Sequence, residues 1–230
     1  MRPGLVFQPR PFGTRARRFP APLFFVLLGA LLFALPGDAA PLQAQTNQAP
    51  RPVELQGAGQ LAGFPVTVGD FQRVLVLSYQ PSERDYSVGY SWTDRDRPTA
   101  STIYIYAADE FQPETAQELE AHFRDTIATL AYQHPGAALL QETKAQVRQG
   151  DLVIDGWRAV LTLEAEFAGA RRTLGSEIYL FKRDGYFVKF RHSYPLEDRE
   201  RVQPDLIHLM ETLGWADAEK AMATLANWSL

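Results

Sequence analysis

The sequence predicts an α+β fold: a mainly antiparallel sheet of about six or seven strands, in the order β-β-β-α-β-β-β-β-α, with helices packed on its faces. Three observations carry that prediction. Most strand-like segments follow one another through links too short for a parallel crossover. Several of them have apolar residues on both faces, which asks for cover on both sides. Two segments change to the 3–4 spacing of an amphipathic helix.

Taken in order, residues 71–80 form a nearly continuous apolar run (Phe71, Val74, Leu75, Val76, Leu77, Tyr79), which predicts a strand buried on both faces. A turn-like link, Pro81 to Asp85, leads to a clean alternator in which Tyr86, Val88, Tyr90 and Trp92 point one way and Ser87, Gly89 and Ser91 the other. After a charged loop, residues 93–99, the third strand spans Ser101 to Ala107, with Ile103 and Ile105 on one face and Tyr104 and Tyr106 on the other. Pro113-Glu114 starts a helix whose stripe is Ala116, Leu119, Phe123, Ile127 and Leu130, and Pro135-Gly136 stops it. Leu139 to Val147 is a weaker strand, and Asp155-Gly156 reads as a turn. Trp157 to Phe167 alternates most clearly of all. Residues 172–182 and 186–194 are joined by Arg183-Asp184-Gly185, a hairpin signal. The last domain helix lies within Leu196 to Leu213, and Pro204 predicts a fresh helix start at that position.

The first 39 residues read as a secretory signal peptide. Arg2, Arg10, Arg15, Arg17 and Arg18 make a basic start, residues 23–35 are apolar, and Pro36 to Ala40 is small and helix-breaking. The apolar run would span roughly 20 Å, short of a ~30 Å hydrocarbon core. Cleavage after Ala39 leaves 18 basic and 26 acidic side chains, a net charge of −8. Residues 40–52 are a Gln/Ala/Pro-rich flexible linker, 53–215 the domain, and 216–230 a C-terminal helical extension. The expected location is the periplasm or the medium. With no cysteine there is neither a disulfide nor a lipidation site, so the packed core must hold the fold.

The charge excludes a nucleic-acid binder, because such binding needs Lys and Arg to neutralise phosphates. Membrane association is expected only if the leader stays uncleaved. No motif points to a cofactor or a metal. Glu118 with His122, and His208 with Glu211, are carboxylate–His pairs at helical spacing, but each lacks further ligands. His192 and Ser193 are neighbours on a strand and point to opposite faces, so they make no catalytic pair. Residues 89–93 resemble a nucleophile elbow without its final Gly, and Asp94 to Arg97 lacks the bidentate Glu of a calcium loop.

The most suggestive constellation is aromatic. Tyr86, Tyr90 and Trp92 form one stripe and Tyr104 and Tyr106 another; with the cations Lys189 and Arg191 they are the candidate ligand-binding residues.

The layout resembles the PsbP-like family, named for an extrinsic protein of the photosystem II oxygen-evolving complex. Likeness lies in Gly63-Phe64-Pro65-Val66, in Gly156-Trp157-Arg158-Ala159, and in a terminal hairpin followed by a helix closing at Leu213-Gly214-Trp215. It covers most of Phe64 to Trp215, and the bacterial relatives include exported proteins of unknown function. The resemblance implies an antiparallel sheet between helices and a non-enzymatic binding or assembly role; no ion-site residue is carried over. The expected function is therefore that of an exported non-catalytic domain binding a protein partner or a small ligand in the cell envelope. The alternatives are a hydrolase or other enzyme with a dispersed active site, and a membrane-tethered accessory protein with an uncleaved leader.

Overall fold

The computed structural model describes residues 53–54, 63–80, 85–92, 97–108, 116–217, 220 and 223. The expected signal peptide, the expected linker up to residue 52 and most of the expected C-terminal extension lie outside the described residues, as does the loop at 93–96.

In chain order the elements are β1 (Val53–Glu54), β2 (Thr67–Val68), β3 (Phe71–Gln80), β4 (Asp85–Trp92), β5 (Thr99–Ala107), α1 (Ala116–Gln133), β6 (Ala138–Gln149), β7 (Leu152–Phe167), β8 (Ala170–Arg183), β9 (Tyr186–Pro195), a 3-10 turn (Leu196–Asp198) and α2 (Arg199–Thr212). One sheet holds all nine strands. Its order is β1-β3-β4-β5-β9-β8-β7-β6, with β2 pairing β3 off this path, and every pairing is antiparallel.

This overturns the α+β expectation of six or seven strands between helices. The molecule is dominated by a single antiparallel sheet, and the described residues contain only two α-helices. Helix α1 packs against β7 and β8, and α2 against β6 and β9. Neither spans a face of the sheet. The two-sided apolar patterns that predicted helical layers are satisfied instead by large aromatic side chains and by the segment that follows Gly63.

Strand parity divides the side chains between two faces. The face carrying α2 holds the main core: Phe64, Phe71, Tyr86, Tyr90, Ile103, Phe181, Phe190 and Tyr194 are almost fully buried together with Val202, Leu206 and Trp215. The opposite face is closed by α1 over β7 and β8, where Phe123 stacks on Trp157 with ring centroids 5.9 Å apart.

Two of the segments behind the family resemblance meet in space. Gly214 N–H donates to the Gly63 carbonyl at 2.7 Å. A Cβ on Gly214 would sit 2.8 Å from the Gly63 Cα, and Gly63 itself has φ +79°, so glycine is needed on both sides of this contact. Next to it Trp215 folds back, stacking on Phe181 at 5.0 Å and donating Nε1–H to the Met210 carbonyl at 2.7 Å.

Two local expectations are corrected. Asp155-Gly156 is no turn: it lies inside β7, and the chain reverses at Gly150-Asp151, with Gly150 at φ +58°. Gly156 is glycine because a Cβ there would run into the Phe181 ring and come within 2.5 Å of the Leu180 carbonyl on the neighbouring strand. Pro204 does not start a helix either. It is the sixth residue of α2, where its missing N–H forfeits the bond to the Glu200 carbonyl and its ring crowds that oxygen.

Candidate functional site: a cleft floored by a buried carboxylate network

Strands β7, β8 and β9 and helix α2 converge on Glu177, a carboxylate with no exposed surface in the middle of β8. An isolated buried charge is expensive, so its neighbours must compensate it. Arg158 Nε, from β7, donates to Oε2 at 2.9 Å, and its Nη2 makes an ion pair with the same oxygen at 2.9 Å. The Tyr179 hydroxyl donates to Oε2 at 3.1 Å, and the Tyr194 hydroxyl donates to Oε1. Arg199, at the start of α2, places Nε 3.8 Å from Oε1. Gln203 closes the ring: its Oε1 accepts from Arg158 Nη2 at 3.0 Å and its Nε2 donates to the Tyr179 oxygen at 3.1 Å. Burial, with the Glu177 charge second, pushes the Tyr179 and Tyr194 hydroxyls well above the usual tyrosine range, so both stay protonated donors.

The outer side of this network forms the floor of a cleft of about 620 Å3 between β6 and α2. Thr143, Ala145 and Val147 of β6 make one wall and Arg199, Gln203 and Met210 the other, while Arg158 and Tyr179 lie at the bottom. Glu177 thus fixes the rotamers of the two floor residues through bonds within the hydrophobic interior.

Beside the network His192 faces Glu177 across the β8–β9 ladder and Ser101 across the β5–β9 ladder. Ser101 Oγ and His192 Nδ1 are 2.9 Å apart, while Nε2 has no hydrogen-bond partner among the described residues. Serine, histidine and a nearby carboxylate invite a hydrolase reading, but the geometry opposes it. Ser101 and His192 are buried to 1 % exposure or less, so no substrate reaches them. The Glu177 oxygens are held by arginines and tyrosines, leaving the imidazole with no carboxylate to orient it.

Burial lowers the His192 pKa from 6.5 to about 4, with the Glu177 charge opposing and the Arg158 charge adding to the effect. Between those two values the unfolded chain takes up a proton that the folded chain refuses. Stability is therefore fully present above pH 6.5 and falls as the pH drops toward 4, by on the order of 3 kcal/mol. We expect urea unfolding at pH 7.0, 6.0 and 5.0 to show this decline, and His192→Gln to flatten it. A wild-type slope unchanged by that substitution would contradict the assignment.

The structure separates the seven candidate ligand-binding residues. Tyr86, Tyr90 and Trp92 face the main core: Tyr90 donates its hydroxyl to the Pro65 carbonyl at 2.7 Å, and Trp92 packs edge-on against Phe71 at 5.8 Å. Tyr104, Tyr106, Lys189 and Arg191 come together on the opposite face, where Lys189 Nζ lies 4.3 Å from the Tyr104 ring centre and 5.8 Å from that of Tyr106. Of the paired histidines, His122 bonds the Tyr106 hydroxyl through Nε2 at 2.7 Å and stacks on Phe187 at 4.3 Å, and His208 lies 3.5 Å from Thr212 Oγ1. Among the described residues no three His, Asp or Glu side chains gather as metal ligands, and no helix is long and apolar enough to cross a membrane. Residues 89–92 of the elbow-like segment are ordinary strand in β4.

Glu177, Arg158, Arg199 and Gln203 escaped the reading of the sequence. The one available signal was a carboxylate directly before the apolar run Ile178 to Phe181.

No protein-family model matches the chain, and no curated protein matches it. Solved structures similar to it include a Pseudomonas aeruginosa protein of unknown function, PA94, with TM-score 0.33 and 13 % identity over 53 % of this chain and 84 % of that one. Another is the Saccharomyces cerevisiae Ran-binding protein Mog1p, with TM-score 0.30 and 12 % identity over 78 % of this chain and 90 % of that one. At such scores neither likeness bears on the function of this chain.

Proposed function

We propose that this is an exported, non-catalytic binding domain that receives an extended segment of a protein partner along the outer edge of β6. The observation carrying this reading is the coincidence of three features at one place. Strand β6 is the last of the path and is 12 residues long, so its outer rim of backbone donors and acceptors has no strand beside it among the described residues. The cleft runs between this strand and α2. Exposed large apolar side chains flank the edge: Leu139 and Leu140 at its start, Leu152 and Val153 just beyond its end, and Ile207 on α2. A strand added to β6 would pair its backbone with this rim and set alternate side chains into the cleft.

The quenched state of Glu177 favours binding over catalysis, since a carboxylate shared by two arginines and two tyrosines is a poor general base. The leader-like first 39 residues are what supports a location in the cell envelope. The PsbP-like resemblance belongs to the same proposal, as it implies an assembly role.

Site-specific photo-crosslinking in the native cell envelope tests this. A photoreactive residue at exposed Lys144 of β6 should form an adduct whose partner peptide is one contiguous stretch. The same residue at Asp184, on the far β8–β9 turn, should form none. Equal adducts at both positions, or adducts at 144 containing only a second copy of this chain, would overturn the reading.

A further inference from the structure

The cleft between β6 and α2 also carries the chemistry of its occupant. Two arginines line it, Arg158 from β7 and Arg199 from the first turn of α2. Their side chains keep 20 % and 33 % exposure, so both can be reached from solvent. Neither guanidinium spends all its donors inside the protein. Arg158 turns the edge made by Nε and Nη2 toward Glu177, and Nη2 also donates to Gln203. A guanidinium is a planar fork of five donors, so its Nη1 lies on the side away from that carboxylate. Arg199 holds Nε 3.8 Å from Glu177 and donates from Nη2 to Gln141 Oε1 at 3.2 Å. Among the described residues no acceptor bonds Nη1 of either arginine, and neither atom is sealed from solvent.

The rest of the cleft suits a side chain with a short apolar stem. Thr143 and Ala145 of β6 are small, and Ile207 and Met210 of α2 supply apolar surface. About 620 Å3 has room for a side chain together with the backbone that bears it. The neighbouring acids leave this place open. Glu177 lies beneath the floor with no exposed surface and faces both arginines, so one positive charge is left over. Glu200 also lines the cleft but is itself exposed, where water and salt screen its charge. Glu142 is taken by Arg124 of α1. The chain as a whole carries a net charge of −4, so attraction for an anion is local to this cleft.

We propose that the cleft reads a carboxylate: the partner segment sets an acidic side chain into it, with the oxygens on the open Nη1 groups of Arg158 and Arg199. The proposal rests on the reading of this cleft as the place where that segment lies, and it names what the segment carries. Glu177 takes part by clamping one edge of the Arg158 guanidinium, which presents the other edge already ordered. Charge-assisted bonds from two arginines in a half-buried cleft separate an acid from its amide, although the two have the same shape. Nothing covalent happens: the acid fills donor positions that the fold leaves open.

The test is an NMR titration of the wild-type protein, following the Nε–H resonances of Arg158 and Arg199. The probes are N-acetyl-glutamate N-methylamide and N-acetyl-glutamine N-methylamide, which differ only in the carboxylate, added in separate arms at constant ionic strength. We expect saturable shifts of both resonances with the acid at millimolar concentration, and the amide to need at least tenfold more. Arg199→Gln should weaken the acid at least tenfold, whereas Arg171→Gln, at the far end of the β7–β8 hairpin, should leave it unchanged. No saturable shift with the acid, or equal shifts with the two probes, would overturn the proposal. Because both resonances are read in the wild type, the result does not depend on a variant folding. The outcome is also separable from partner capture. Adducts at position 144 without preference for the acid would remove this proposal and leave the receiving edge. Acid-selective shifts without adducts at 144 would keep the carboxylate site and remove the receiving edge.

Discussion

Glu177→Ala is expected to destabilise the domain by about 3–5 kcal/mol in urea unfolding at pH 7, because it removes the acceptor of two buried tyrosine hydroxyls and the counter-charge of a half-buried arginine. The loss follows from the accounting of donors. Arg158, Tyr179 and Tyr194 all point at the missing carboxylate, and Gln203 replaces only part of what it accepts. With total stabilities on the order of 5–15 kcal/mol, such a change brings the domain near the edge of folding. Glu177→Gln should fall between the two, since its amide keeps one acceptor but turns a donor toward another donor. The decisive comparison is Glu177→Leu with and without Arg158→Met. If the pair is coupled, the double variant should be more stable than the sum of the single losses by at least ~1.5 kcal/mol. Strict additivity would mean that Arg158 and Glu177 do not depend on each other. The same variants should widen or distort the cleft floor, which ties the stability of the network to the shape of the binding surface.

Trp215→Ala is the second large effect, expected at about 3–5 kcal/mol. The indole is fully buried, stacked on Phe181 at 5.0 Å and edge-on to Phe190 at 5.6 Å. Removing it opens a large cavity beneath the Gly63–Gly214 contact, where neither backbone segment can sink to fill it. Trp215→Phe keeps much of the packing and loses the bond from Nε1 to the Met210 carbonyl. That carbonyl still accepts from Gln149 Nε2 at 2.6 Å, so the cost should be nearer 1 kcal/mol plus the smaller ring. Urea unfolding followed by far-UV circular dichroism reads both variants. A Trp215→Ala loss below 1 kcal/mol would show that the closing turn is not integral to the core.

Strands with one wet face were the most legible part of the sequence. Alternation from Trp157 onward marks β7, and Asp184-Gly185, with φ of +50° and +77°, makes the tight link between β8 and β9 that the hairpin signal predicts. Architecture was less legible, because apolar residues on both faces of a strand do not say what covers them. Here aromatic side chains from neighbouring strands do so over much of the sheet, and a helical layer was the wrong inference. The site depended on register, which period-2 patterns do not fix between strands. Tyr104 lies opposite Ser87, not Tyr86, so Tyr104 and Tyr106 share a face with Lys189 and Arg191 while Tyr86, Tyr90 and Trp92 turn to the core. Glu177 was hidden for a related reason. Its partners come from β7, β9 and α2, and only the completed ladders bring Arg158, Tyr194 and Gln203 to it. Pro204 misled because proline signals a helix boundary only on average, and here the packing of Val202, Leu206, Leu209 and Met210 holds α2 together across it.

The reading as a whole rests on β6 as a receiving edge beside a rigid floor. The most direct measurement is amide hydrogen exchange of the protein, with and without a synthetic peptide matching the partner segment found by crosslinking at position 144. Slowed exchange at alternate amides within 138–149, with little change in β4 and β5, is the result expected from an added strand. Protection confined to the Arg191 face, with β6 exchanging as in the free domain, would contradict it.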